Sequence, residues 1–191
     1  MLSPRLAPIV AMAVLLAAPP ALGQQAGPPP AIVGTWLLES IVDVLEDGTL
    51  SHWMGERPTG AIIYSASGHM SVQFMRDPRP VPPAAADPGT DRAKLAGADP
   101  FAELDAATLR DLLRGYYAYF GRYEVAPDGD AITHFVKTSL RPEEVGIEYK
   151  REIRIEGDRL FISLNAEVDG VPRRRVLTWR RAAMDGEVRR D

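Results

Sequence analysis

The chain has 191 residues, no cysteine and a formal net charge of −4. That length is enough for one domain with a real core, and the core must hold without disulfides, a lipidated N-terminal cysteine or a thiolate metal site. The mildly acidic balance argues against nucleic acid as a partner and against an anionic membrane surface.

Residues 1–23 read as a secretory signal peptide. Arg5 supplies the positive start, Leu6 to Ala18 an apolar stretch, and Ala21-Leu22-Gly23 small residues before a cleavage point at Gln24. The stretch is short of the ~20 apolar residues that span a bilayer. The expectation is therefore cleavage, no stable membrane insertion afterwards, and a periplasmic or secreted location. Residues 24–31 form a stiff Pro-rich spacer. The folded domain is expected over 32–182, with 183–191 as a charged tail.

Ile32 to Val44 is rich in β-branched and aromatic residues and predicts a first strand, ended by Glu46-Asp47-Gly48. Thr49 to Met54 reads as a short second strand. Thr59 to Tyr64 and His69 to Met75 form a hairpin across Ser65-Ala66-Ser67-Gly68. Arg76 to Pro100 carries six prolines and no periodicity, which predicts a long loop. That loop is either a binding loop or lid, or a tolerated insertion. Asp105 to Phe120 predicts the one helix. Asp105 is its N-cap, and Leu109, Leu112, Leu113 and Tyr116 form its apolar stripe. Further strands follow at Arg122 to Ala126, Ala131 to Leu140, Glu148 to Glu156, Arg159 to Asn165 and Arg173 to Arg181. The class is all-β: an antiparallel meander of 8–9 strands closed into a barrel, with one helix between the early and late strands.

The period of two sorts the side chains. Glu152, Arg154 and Glu156 belong outside, which puts Arg151, Ile153 and Ile155 on the inner face. Leu160, Ile162 and Leu164 face in on the next strand. With Lys137 outside, Ile132, His134, Val136 and Thr138 face in. The strand from His69 allows two readings. Either Met70, Val72 and Phe74 fill the barrel, or they lie under the helix and His69, Ser71, Gln73 and Met75 line the lumen. An apolar lumen with a few polar groups suits a small hydrophobic or amphipathic molecule. The candidate binding residues are His134, Arg151, Gln73 and the hydroxyls of Tyr64, Tyr116, Tyr119 and Tyr123. An inward Arg151 needs a carboxylate partner or an anionic ligand group, because burying it unpaired is costly.

The chain resembles the bacterial lipocalin-like domain family, a small-barrel group within the calycins. The matching stretches are Val33-Gly34-Thr35-Trp36-Leu37-Leu38, Gly60-Ala61-Ile62-Ile63-Tyr64 and Gly68-His69-Met70-Ser71-Val72-Gln73. Tyr119-Phe120-Gly121-Arg122-Tyr123-Glu124-Val125 and Arg151 with Gly157-Asp158-Arg159-Leu160 complete the set. By that resemblance, Trp36 packs at the closed end beneath an arginine of the last strand, Arg180 or Arg175. One stretch departs from the family pattern. Leu140 to Gly146 carries Glu143 and Glu144 where the family commonly has Asn and an aromatic residue; on the residues alone, the two acids read as a solvated loop.

Three function classes stay open. The first is an exported binder of a small apolar or amphipathic molecule. The second is a barrel enzyme of the isomerase, cyclase or hydrolase kind, with His134 as base and Arg151 as anion holder. The third is a filled barrel that uses the Pro-rich loop for contact. No Gly-x-Ser-x-Gly elbow or phosphate loop is present. His52, His69 and His134 lack the spacing of a metal site, and the sequence calls for no cofactor.

Overall fold

The computed structural model describes residues 31–79, 101 and 104–183. The expected leader, nearly all of the spacer, most of the Pro-rich loop and the charged tail lie outside the described residues.

Nine strands run in the order β1 (Gly34–Leu45), β2 (Leu50–Ser51), β3 (Thr59–Tyr64), β4 (His69–Met75), β5 (Tyr116–Val125), β6 (Ala131–Ser139), β7 (Glu148–Glu156), β8 (Arg159–Val168) and β9 (Val171–Arg181). Among the described residues, helix α1 (Ala106–Arg114) lies between β4 and β5, and a 3-10 turn (Pro142–Glu144) between β6 and β7. All neighbours pair antiparallel, and β1 pairs back onto β9, so eight strands close into a barrel with β2 as a short addition beside β1. Hairpin meanders favour this route because each strand finds its partner next in sequence. Closure removes the two exposed edges that an open sheet would carry.

The barrel has a closed and an open end. At the closed end Trp36 is fully buried, and its indole N–H donates to the Ile32 carbonyl at 2.8 Å. The arginine above its ring is Arg181, 4.0 Å from the centroid, rather than Arg180 or Arg175. Arg180 lies one residue out of phase, on the outer face, where it meets Glu39 at 3.4 Å. Arg181 also donates to the Val33 carbonyl at 2.9 Å. Gly34 has φ +138°, and a Cβ there would lie 2.8 Å from the Arg181 guanidinium. The glycine of the Gly-x-Trp corner is thus required by backbone conformation and by the arginine pressed against it.

Two bulges reset the inside–outside alternation. In β1 the pairing to β9 shifts between Leu38 and Ser40. Glu39 is the extra residue, and it meets Arg159 at 3.2 Å on the outside. The inner face therefore changes from Trp36 and Leu38 to Ile41 and Asp43. Between β5 and β6 the pairing shifts from Phe120↔Thr138 to Gly121↔Val136. Lys137 is the extra residue there. Thr138 turns outward, contrary to the strict alternation, and Ser139 turns in.

The helix is shorter than its pattern predicts. Asp105 caps it as expected, accepting from the Thr108 N–H at 2.7 Å, but it stops at Gly115. Tyr116 to Phe120 are strand. Their aromatic rings alternate across the barrel wall, a fit the pleat rewards more than a helix does. On β4 the first reading holds: Met70, Val72 and Phe74 are core, while Gln73 and Met75 face solvent.

Gly121 sits at the β5–β6 bulge where the strands approach closely. A Cβ there would lie 2.0 Å from the Phe135 carbonyl oxygen. Gly121→Ala is expected to cost about 1–3 kcal/mol through overpacking and to lower the thermal midpoint in circular dichroism by several degrees. An unchanged midpoint contradicts that close approach.

Candidate functional site

The closed half of the barrel is filled. Tyr64 and Tyr123 meet edge to face at 4.9 Å among Met70, Ile132, Ile153 and Leu160. The Tyr123 hydroxyl donates to the Ser65 carbonyl at 2.8 Å. The open half is hollow, with a cavity of about 350 Å³. Ile41, Ile62, Val72, Phe74, Ile162, Leu164, Leu177 and Trp179 form its apolar wall. The cavity reaches the side of the barrel where β7 leaves β8. β7 pairs with β6 through Glu148–Glu152 but with β8 only from Glu152↔Ser163 onward. Tyr149 and Arg151 line the cavity from one lip of that parting, and Leu164, Asn165, Ala166 and Glu167 from the other.

At the floor of the cavity His134 lies between two tyrosines. The Tyr64 hydroxyl is 2.9 Å from Nε2 and the Tyr119 hydroxyl 2.6 Å from Nδ1. Burial, helped by the nearby Arg151 charge, lowers the imidazole to about 3 and keeps it neutral. Burial likewise raises both tyrosines above their ordinary value. A neutral imidazole has one N–H and one acceptor nitrogen. Tyr64 is only 1 % exposed, and among the described residues its hydroxyl has no other hydrogen-bond partner. Leaving its O–H without an acceptor would cost about 1–3 kcal/mol. The favoured arrangement is therefore Tyr64 O–H to Nε2 and Nδ1–H to the Tyr119 oxygen. That leaves the Tyr119 proton free to point into the cavity, whose wall Tyr119 joins.

Two ion pairs occupy the rim. Asp43 is fully buried; Arg175 grips it at 2.6 and 2.8 Å, and Arg173 stands 3.7 Å away. Glu144, expected in a solvated loop, is 6 % exposed instead. Its carboxylate accepts from the Tyr117 hydroxyl at 3.0 and 3.1 Å and from the Ser139 hydroxyl at 2.7 Å, with Arg141 at 3.5 Å. The 3-10 turn begun by Pro142 folds Glu144 back over the rim. The loop that departs from the family pattern thus lines the cavity.

Arg151 differs from these. Its guanidinium lies 4.4 Å from the Tyr149 ring centroid, and among the described residues it has no carboxylate partner and no hydrogen bond.

The seven residues singled out from the sequence separate by depth and face. His134, Arg151 and Tyr119 line the cavity, and Tyr64 stands one hydrogen bond behind it. Tyr123 belongs to the filled end. Gln73 and Tyr116 are on the outer face, because they alternate with the inward Val72, Phe74 and Tyr117; there the Tyr116 hydroxyl donates to Gln73 Oε1 at 3.0 Å. Sequence reasoning missed Asp43, Trp53, Glu144, Tyr149 and Arg175 as residues of the cavity and its rim. Among the described residues no three His, Asp or Glu side chains converge as metal ligands.

Neutral His134 gives stability a defined pH dependence. The unfolded imidazole takes a proton near 6.5 and the folded one only near 3, so acid favours the unfolded chain. This contribution is intact above pH 6.5 and falls by about 2 kcal/mol at pH 5. Urea unfolding at pH 8 and pH 5 measures it. His134→Gln is expected to be less stable at both values and to lose that part of the slope. An equal slope in the two proteins contradicts a neutral His134.

A family profile described as a lipocalin-like domain matches residues 33–182. No curated protein matches the chain, and no solved structure matches it. The match covers the whole barrel from the Gly-x-Trp corner to the end of β9, and the chain belongs to the lipocalin-like domain family.

Proposed function

We propose that the protein is an exported carrier that holds one small amphipathic molecule in the open half of its barrel. The observation that carries this reading is the hollow of about 350 Å³ above a filled end. It has the size and mixed lining of small-molecule pockets, with apolar walls and a few placed polar groups. Arg151 and Tyr119 are the polar contacts of this reading; His134, with both nitrogens taken, orients the Tyr119 hydroxyl, and Tyr64 sets the His134 tautomer. Export rests on the leader pattern of residues 1–23. Among the described residues no helix is long and apolar enough to cross a membrane.

The enzyme reading is served less well. A general base needs a nitrogen free to take a proton near its working pH. Both ring nitrogens of His134 are engaged by tyrosines, and its environment favours the neutral form down to about 3. A filled barrel acting only as a contact module does not account for the hollow.

The neutral dye N-phenyl-1-naphthylamine tests the carrier reading. It is expected to brighten on binding one site per chain with micromolar affinity. Leu164→Trp, which fills the cavity at its side lip, is expected to weaken uptake by about tenfold or more while the circular dichroism spectrum stays that of the barrel. No uptake by the wild type, or equal uptake by Leu164→Trp, contradicts the reading. For export, the intact mass of protein recovered from its source is expected to begin at Gln24; a mass retaining Met1 contradicts cleavage.

A further inference from the structure

Inside the cavity the polar capacity left over is of one kind; the acid Glu167 stands exposed at its outer lip. Glu144 is taken by Tyr117, Ser139 and Arg141, and Asp43 by Arg175 and Arg173. Those acids are matched. The donors are not. The Arg151 guanidinium has no acceptor among the described residues. The indole N–H groups of Trp53 and Trp179 also lack partners, but both nitrogens are shut off from the open space and lie behind the wall. The His134 tautomer leaves the Tyr119 proton pointing into the cavity. A surplus of donors that includes a full positive charge is completed by an acceptor-rich anion.

From this arrangement we infer that the ligand is a weak organic acid, bound as its carboxylate by the Arg151 fork and the Tyr119 hydroxyl with its apolar body against Phe74 and Leu177. The inference rests on the carrier reading above and names the class of cargo. The Tyr149 ring holds the guanidinium against the wall, so its orientation is set before the ligand arrives, which lowers the entropy lost on binding. Glu144 and Asp43 do not oppose the anion, since each already has a cation beside it. The apolar wall excludes inorganic anions, whose hydration it cannot replace.

The test compares 1-naphthaleneacetate with 2-(1-naphthyl)ethanol, which share a ring system and differ in the head group. Each displaces N-phenyl-1-naphthylamine from the full chain at pH 7. The acid is expected to bind at least about tenfold more tightly than the alcohol, as a charge-assisted hydrogen bond to a guanidinium provides. In Arg151→Met the acid-to-alcohol ratio is expected to fall to about one. Reading the ratio within each protein cancels any general change in the cavity. Arg151→Lys, which keeps the charge and loses the fork, is expected to retain part of the preference. Dye uptake with equal displacement by acid and alcohol overturns the carboxylate inference and leaves the carrier reading standing. So does an acid preference that survives in Arg151→Met. Failure of the wild type to take up the dye or either competitor overturns both.

Discussion

The interior of this protein depends on the seam between β1 and β9. Once these strands pair, every strand commits alternate residues to a lumen, and Asp43 falls on the inner face with no exposure to solvent. An ionised carboxylate is tolerated there only when it is closely matched. Arg175, directly opposite in the β1–β9 register, meets both of its oxygens, and Arg173 flanks them. The ladder and the internal ion pair thus lock the same seam. The same demand explains Glu144 at the rim. With these two acids matched and Glu167 exposed at the outer lip, the charge left inside the cavity is that of Arg151.

A second regularity keeps the upper lumen open. Three of its arginines stand over aromatic rings: Arg141 over Tyr117 at 5.0 Å, Arg151 over Tyr149 at 4.4 Å, and Arg175 over Trp53 at 4.6 Å from the centroid. Each contact is worth about 0.5–2 kcal/mol, more where water is excluded. These contacts hold the long side chains against the wall instead of across the space. The closed end is built the other way. Trp36, Tyr64, Met70 and Leu160 meet in the middle and fill it. One end therefore supplies stability and the other supplies room.

Much of this plan was legible in the sequence because a strand's period of two is a strong local signal. It placed Ile153, Leu160, Ile162, His134 and Arg151 inside, and Glu152 and Arg154 outside. It failed at Thr138, because a bulge at Lys137 leaves no mark in the residue pattern; the bulge at Glu39 was invisible for the same reason. Tyr116 to Phe120 extend the helical stripe of the leucines before them in sequence, yet the helix stops at Gly115. Glu144 was assigned to solvent because its burial depends on partners far along the chain or folded back by a turn. Asp43 escaped notice in an apolar strand, since its arginine partner lies 132 residues away. The arginine over Trp36 is neither of the two the resemblance implied: Arg175 is spent on Asp43, and Arg180 misses by one position, which in a strand is the difference between the lumen and water.

The central claim is that the open half of the barrel is a preformed chamber whose unmatched charge is Arg151. A crystal structure of the protein with 1-naphthaleneacetate tests it most directly. The account predicts the ring system between Phe74 and Leu177 and the carboxylate within hydrogen-bond reach of Arg151 and Tyr119, with Asp43 still held by Arg175. A lumen closed by inward-turned side chains, or a ligand seated on the outer wall, contradicts it.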